Sequence, residues 1–322
     1  MPERAGRRRL LTTVLVSSLA LVAIAAVPYT LSTFSVSLVT LVVAAGLLAV
    51  SVNMLAGELM LVSLGQAGIA AASAYGVGWA VGQGYPLAGQ LLVALAATLV
   101  VSAVYAGMSL RTSGIYFLMA TLALGMIVYG LAFRLSTVTG GENGLAGIAP
   151  PAPLRQSWQF YYWSVAVLVV VMVAWTVVQR SPFGLVLRGI RESESRMRSL
   201  GYNVAAFKFA AVMISGFVAG LAGLLTVWHS QFVSPSSAGF HRSALVVVMV
   251  ILGGAGRTLG PVVGAALVVW TEQVVSTHFE RWPTALGLLL VVVVLWAPGG
   301  FVGGLEAARS SLRLPAHSRT KG

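Results

Sequence analysis

Hydrophobic residues along this chain come in nearly unbroken runs of about twenty, the length a helix rising 1.5 Å per residue needs to cross a bilayer core. Between the runs lie short polar or Gly- and Pro-bearing stretches. The pattern predicts spans over residues 10–27, 34–52, 59–80, 87–108, 114–133, 160–179, 207–228, 243–256, 258–276 and 283–298. The expected fold class is all-α: a polytopic membrane helix bundle of about ten transmembrane segments, one or two of them broken or re-entrant. Two spans are weak. Residues 59–80 contain Ser63-Leu64-Gly65-Gln66-Ala67-Gly68, and residues 243–264 contain GGAGRTLGPVVG between two short apolar runs. Non-helical backbone at membrane depth persists only inside protein or beside a wet cavity, and paired interruptions point to a translocation path. For GGAGRTLGP, a short loop joining two spans at the cytoplasmic face is the simpler reading.

The one strongly charged interior stretch is RSPFGLVLRGIRESESRMRSLGYNVAAFK, Arg180 to Lys208. Read as a helix, Arg188 to Leu200 lines up Leu187, Ile190, Met197 and Leu200, an apolar stripe able to dock on another protein. Glu192 with Arg196 and Glu194 with Arg198 place each acid four residues before its base, the orientation that supports an exposed helix. Ser181-Pro182 and Gly201-Tyr202-Asn203 are its start and stop signals. An ordinary solvated loop helix is the competing reading.

Composition turns the run pattern into a class. The 322 residues are 58% hydrophobic and only 9% charged, against about a quarter charged in a soluble domain. This is an integral membrane protein. Net charge is +12, but the bases gather at Arg4, Arg7, Arg8 and Arg9, in the central segment, and at Arg309, Arg313, Arg319 and Lys321. All flank apolar runs, as the positive-inside rule expects, so membrane lipid is the partner of this charge and nucleic acid is not. Both termini are then expected in the cytoplasm, with residues 134–158 outside and 180–206 inside. Residues 10–27 follow RRR but lack a small-residue cleavage site, and read as a retained first span.

Chemistry is sparse. There is no Cys and no Asp, the four His are scattered, and no GxxxxGK[ST] loop occurs, so no catalytic site, metal site, bound cofactor or ATP hydrolysis by the chain itself is expected. Asn53, Ser63, Gln66 and Thr121 are the polar candidates for a solute path, although hydrogen bonding between helices suits any one of them as well. Lys208 and Arg111 sit near helix ends, where they can snorkel. Small residues at Ser215, Ala219 and Gly223, Gly216 and Gly220, and Gly260 and Gly264 suit close helix packing. The outer loop TVTGGENGLAGIAPPAP exposes Glu142 and Asn143 as a docking site for an extracellular partner, or serves as a passive connector.

Several segments together resemble the LivM-type permease subunit of branched-chain amino acid ABC importers. They are Asn53-Met54-Leu55-Ala56-Gly57 with Ser63-Leu64-Gly65-Gln66-Ala67; Thr139-Gly140-Gly141-Glu142-Asn143-Gly144-Leu145; Ser181-Pro182-Phe183-Gly184 with Arg188-Gly189-Ile190-Arg191-Glu192 and Leu200-Gly201-Tyr202-Asn203; Gly253-Gly254 with Gly260-Pro261-Val262-Val263-Gly264; and Ala297-Pro298-Gly299-Gly300. Glu58 departs from the family pattern, where an aromatic or apolar residue is usual, and RESESRMRS is rather polar. The resemblance implies a single permease domain over 1–305 with a basic cytoplasmic tail at 306–322, in a bacterial inner membrane. It implies as partners a second related permease, two cytoplasmic ATPase subunits using ATP-Mg, and an extracytoplasmic solute-binding protein. The matching coupling helix would use Arg188, Gly189, Ile190, Arg191, Glu192, Glu194, Met197, Leu200 and Gly201 against an ATPase. The mechanism expected is alternating access. Another polar solute such as urea, a short amide or a sugar, or an ion-coupled transporter working alone, remain the alternatives.

Overall fold

The computed structural model describes residues 28–29, 32–277, 282–296 and 299–304. The first expected span, 10–27, and the basic tail, 306–322, lie outside the described residues.

Apolar runs become helices because no water at membrane depth can satisfy free backbone groups. In order they are α1 (Thr33–Leu59), α2 (Gln66–Gly82), α3 (Leu87–Ser109), α4 (Gly114–Arg134), α5 (Ser157–Arg180), α6 (Pro182–Glu192), α7 (Glu194–Ser199), α8 (Val204–Ser230), α9 (Phe240–Gly253), α10 (Gly260–Trp270) and α11 (Trp282–Trp296). A π-helical turn, Thr271–Val275, continues α10. Among the described residues, five helices (α1, α3, α4, α5 and α8) are long and apolar enough to cross a membrane. α2, α9, α11 and α10 with its π turn are shorter, so the described residues form a bundle mixing complete and short helices, in keeping with an all-α membrane fold.

α1 and α8 form the centre. α8 packs on α2, α1 and α3, and α1 packs also on α10 and α5. Small residues set the spacing: a Cβ at Gly223 would overlap the Ala70 carbonyl, and one at Gly220 would meet Thr98. Likewise Gly264 lies against the Met249 carbonyl and Gly253 against that of Gly260, which closes α9 and α10 into a tight hairpin. Both stripes follow the spacing read from the sequence. α3, α4 and α5 turn large apolar side chains outward, among them Leu92, Val100, Ile115 and Val170 at 66–68% exposure. A contiguous apolar surface of that kind faces lipid.

Both weak spans are broken, at or beside the Gly-bearing stretches that marked them. α1 runs on to Leu59 and stops at Met60, a left-handed residue (φ 54°) whose N–H reaches Leu55 O. Residues 60–65 are irregular before α2 begins, and Leu64 N–H is taken up by Thr121 Oγ1 at 3.2 Å. The second break, residues 254–259, lies between α9 and α10. At the other end of the bundle, residues 135–156 include a 3-10 turn, Gly141–Asn143, and a two-residue strand β1, Leu145–Ala146. It pairs antiparallel with β2, Phe232–Val233, a small exception to the all-α expectation.

Candidate functional site

The mid-chain charged segment is a helical hairpin and not one helix. α6 ends at Glu192, Ser193 is extended (φ −162°, ψ 102°), and its side chain accepts Arg196 N–H at 3.3 Å to start α7. The break separates Glu192 from Arg196, and the expected i,i+4 pair is not among the ion pairs of the described residues. Glu194 does pair with Arg198, at 2.5 Å. The two helices fold together where Met197 Sδ sits on Gly189, leaving no room there for a Cβ.

This folding corrects the docking stripe. Leu187, Ile190 and Met197 are 0%, 5% and 9% exposed and join the bundle core, so they are spent within the chain. Only Leu200 of the stripe is free, at 66% exposure, with Leu185 and Tyr202 also exposed. Glu192, Arg196 and Gly201 share that exposure. Lys208 is a second correction: it does not snorkel but lies 5% exposed, its Nζ donating to Glu194 Oε2 at 2.6 Å. A buried ammonium needs such a partner. Burial pulls the Glu194 carboxyl up, yet the hydrogen bonds and charges of Lys208 and Arg198 outweigh it, and its pKa lies below the ordinary value.

The segment is fastened to the end of α1. Glu58, 8% exposed at its side chain, accepts Gln179 Nε2 at 2.8 Å and faces Arg188 Nε at 3.6 Å. Arg188 Nη2 donates to Gln179 O at 2.5 Å, and Arg191 Nη1 donates to Gly57 O at 2.7 Å. One turn earlier on α1, Asn53 accepts Gly256 N–H at 2.7 Å and donates to Arg257 O at 3.0 Å, holding the 254–259 loop. Gly57 and Gly256 are in close approach beside it, and Arg257 Nη1 donates on to Gly299 O. The last two turns of α1 therefore tie the charged hairpin, the second break and the chain after α11 into one assembly. Sequence reading missed Glu58 as its hinge pin. The available signal was an acid at the end of an apolar run in a chain with only eight acids.

The polar path candidates make hydrogen bonds inside the bundle. Asn53, Ser63, Gln66 and Thr121 are all at most 3% exposed. Gln66 Nε2 donates to Ser215 Oγ at 2.8 Å, which donates to Ser51 O at 2.7 Å, a link across α2, α8 and α1. Gln66 Oε1 is left without a hydrogen bond. None of these candidates lines the main cleft. That cleft, about 490 Å³, opens between α1, α2, α8, α9 and α10 at the end away from the charged hairpin. Its wall on α2 is Ala67, Ala70, Ala71 and Ala74, its floor includes Leu48, and its rim carries serines, Arg242 and Glu272. Glu142 and Asn143 are exposed on the 3-10 turn at the same end, reached through Gly140 and Gly144, whose positive φ and crowded Cβ positions admit only glycine. His229 stacks on Phe160 with Ser37 Oγ 3.3 Å from its Nε2.

An apolar bundle with a charged hairpin wired to one end and a water-accessible cleft at the other is a multi-pass membrane protein of the permease class. The family model described as branched-chain amino acid transport system / permease component matches residues 34–297, and the chain belongs to that family. It is 30% identical to the high-affinity branched-chain amino acid transport system permease protein LivM of Salmonella typhimurium and to that of Escherichia coli K12. Each match runs over 321 residues, 89% of this chain and 73% of the relative. A ribose import permease, RbsC of Haemophilus influenzae, is 25% identical over 39% of this chain and 42% of its own. An inward-facing metal-chelate type ABC transporter aligns at a TM-score of 0.45 and 14% identity over 87% of both chains. By its family, the chain is a permease component of a branched-chain amino acid transport system.

Proposed function

We propose that this subunit carries branched-chain or related apolar amino acids into the cytoplasm by alternating access, powered by ATPase subunits that hold ATP-Mg while this chain binds no cofactor. It works beside a second related permease and receives solute from an extracytoplasmic binding protein that meets the Glu142–Asn143 turn. Both termini and the hairpin lie in the cytoplasm of an inner membrane. The carrying observation is the assembly at the end of α1. A partner that moves α6 must move Glu58 and Gly57, through them α1, and through Asn53 the 254–259 loop between α9 and α10. Packed helices have discrete arrangements, so such a shift re-orients the bundle instead of deforming it smoothly. Energy enters through the partner's unequal affinity for the two arrangements.

The ATPase-facing surface is the exposed side of the hairpin, Leu185, Glu192, Arg196, Leu200 and Gly201. Arg188, Gly189, Ile190, Arg191, Glu194 and Met197 of the expected coupling set act from within, holding the hairpin on the bundle. Glu194 does so by clamping Lys208 of α8.

The test is uptake into vesicles carrying the whole importer. L-leucine accumulation that needs ATP, the ATPase subunits and the binding protein, and is not displaced by ribose, is the expected result. Uptake by this chain alone under an ion gradient overturns the reading.

A further inference from the structure

Two oppositely charged side chains from distant parts of the sequence, Arg242 and Glu272, line the same cleft, and neither has an ion-pair partner among the described residues. Each is only partly exposed. Arg242 stands in the first turn of α9. Glu272 stands in the π-helical turn that ends α10, a rare irregularity that re-aims side chains and recurs at functional positions. Half-buried charges without partners are costly, and a site that keeps one of each sign is matched to a ligand that carries both.

The rest of the lining is mixed: serines, His241 and Gln273 share it with an apolar wall and floor. Four alanines at helical spacing on α2 leave the space, and Leu41, Leu48, Leu245 and Val269 bound it. Its volume, about 490 Å³, lies within the range of about 300–1,000 Å³ for small-molecule sites. Inward of the cleft's lining lies the Gln66–Ser215–Ser51 link. Ser51 is one turn inward of Leu48 on α1, Gln66 directly precedes Ala67, and Ser215 is two turns inward of Gly223 on α8.

We propose that this cleft is an outward-facing binding site for a zwitterionic amino acid with an apolar side chain. Arg242 receives the α-carboxylate, Glu272 receives the α-ammonium, and the leucine and alanine floor takes the side chain. This rests on the amino-acid reading above and adds where, within this chain, the solute is held. A nucleoside or sugar offers no charge to either residue.

The test uses the complete importer, in which this Cys-free chain carries Ser237→Cys on the cleft rim or, as a second reporter, Thr226→Cys. L-leucine is expected to slow maleimide labelling of the introduced thiol about tenfold, the scale of one charge-assisted contact. L-leucinol, which lacks the carboxylate, protects far less. Arg242→Gln abolishes that preference, so that leucine and leucinol protect equally poorly, and Glu272→Gln weakens protection by leucine. If the importer takes up leucine but labelling at both positions ignores it, the site is overturned and the transport reading stands. Equal protection by leucine and leucinol in the unmodified cleft overturns the Arg242 assignment. An importer that takes up no leucine overturns both the reading and the site.

Discussion

The two ends of this bundle solve opposite problems with the same few polar residues. At the end of α1, charges and amides are consumed pairwise: Glu58 with Gln179 and Arg188, Arg191 with Gly57 O, Asn53 with the 254–259 loop. At the cleft, alanines hold space open, and Arg242 and Glu272 have no ion-pair partner among the described residues. A chain that is 9% charged thus gathers hydrogen-bonded polarity at one end and turns charge toward a cleft at the other. Rigidity and vacancy are both built from small residues. At Gly57 and Gly256, backbones touch; along Ala67 to Ala74, small side chains give the cleft its width.

The contrast can be broken most severely from the hairpin's inner face. Ile190→Asp buries an unpaired carboxylate and should cost about 3–5 kcal/mol, so the chain fails to accumulate in the membrane and not merely to couple. Normal abundance on a membrane blot would mean that the stripe is free after all. Next comes Asn53→Ala, which strands the Gly256 N–H and the Arg257 carbonyl. A loss of about 1–3 kcal/mol, read as a lower Tm of the purified chain, is expected, together with faster proteolysis at residues 254–259.

Smaller is the Glu194 effect. Its folded-state pKa is below the ordinary 4.5, so its clamp on Lys208 is fully present above that value and is lost as pH falls through the depressed pKa. Acidification below about 4.5 should lower Tm more in the native chain than in Glu194→Gln; parallel curves would deny the clamp. Smallest in stability is Leu200→Asp, within about 0.5 kcal/mol of the native chain because the side chain is exposed. It should nonetheless reduce co-purification of the ATPase subunits several-fold, and unchanged recovery would move their surface elsewhere.

Much of this was legible in the chain. Apolar run length located the complete spans, Gly and Pro clusters marked both breaks, and small-residue spacing foretold the α8 and α9–α10 contacts. Three features were not. The hairpin's turn at Ser193 was hidden because RESESRMRS has continuous helical propensity, although Ser followed by Glu is also a helix start. The direction of the Leu187–Ile190–Met197 stripe was hidden because periodicity shows that a face is apolar, not what it packs against. Finally, the partners of Glu58 and Lys208 are set by tertiary contact: Glu58 meets Gln179 across 121 residues. A side chain's distance in sequence carries no record of such a meeting.

The central claim is that motion passes from the hairpin to the bundle through Glu58 and Arg188. It is tested most directly by a double-mutant cycle of Glu58→Gln and Arg188→Gln, reading solute moved per ATP hydrolysed by the assembled importer. Each single change is expected to lower that ratio several-fold, with the double variant no worse than Glu58→Gln alone. Single variants that couple normally, or losses that multiply in the double variant, would contradict it.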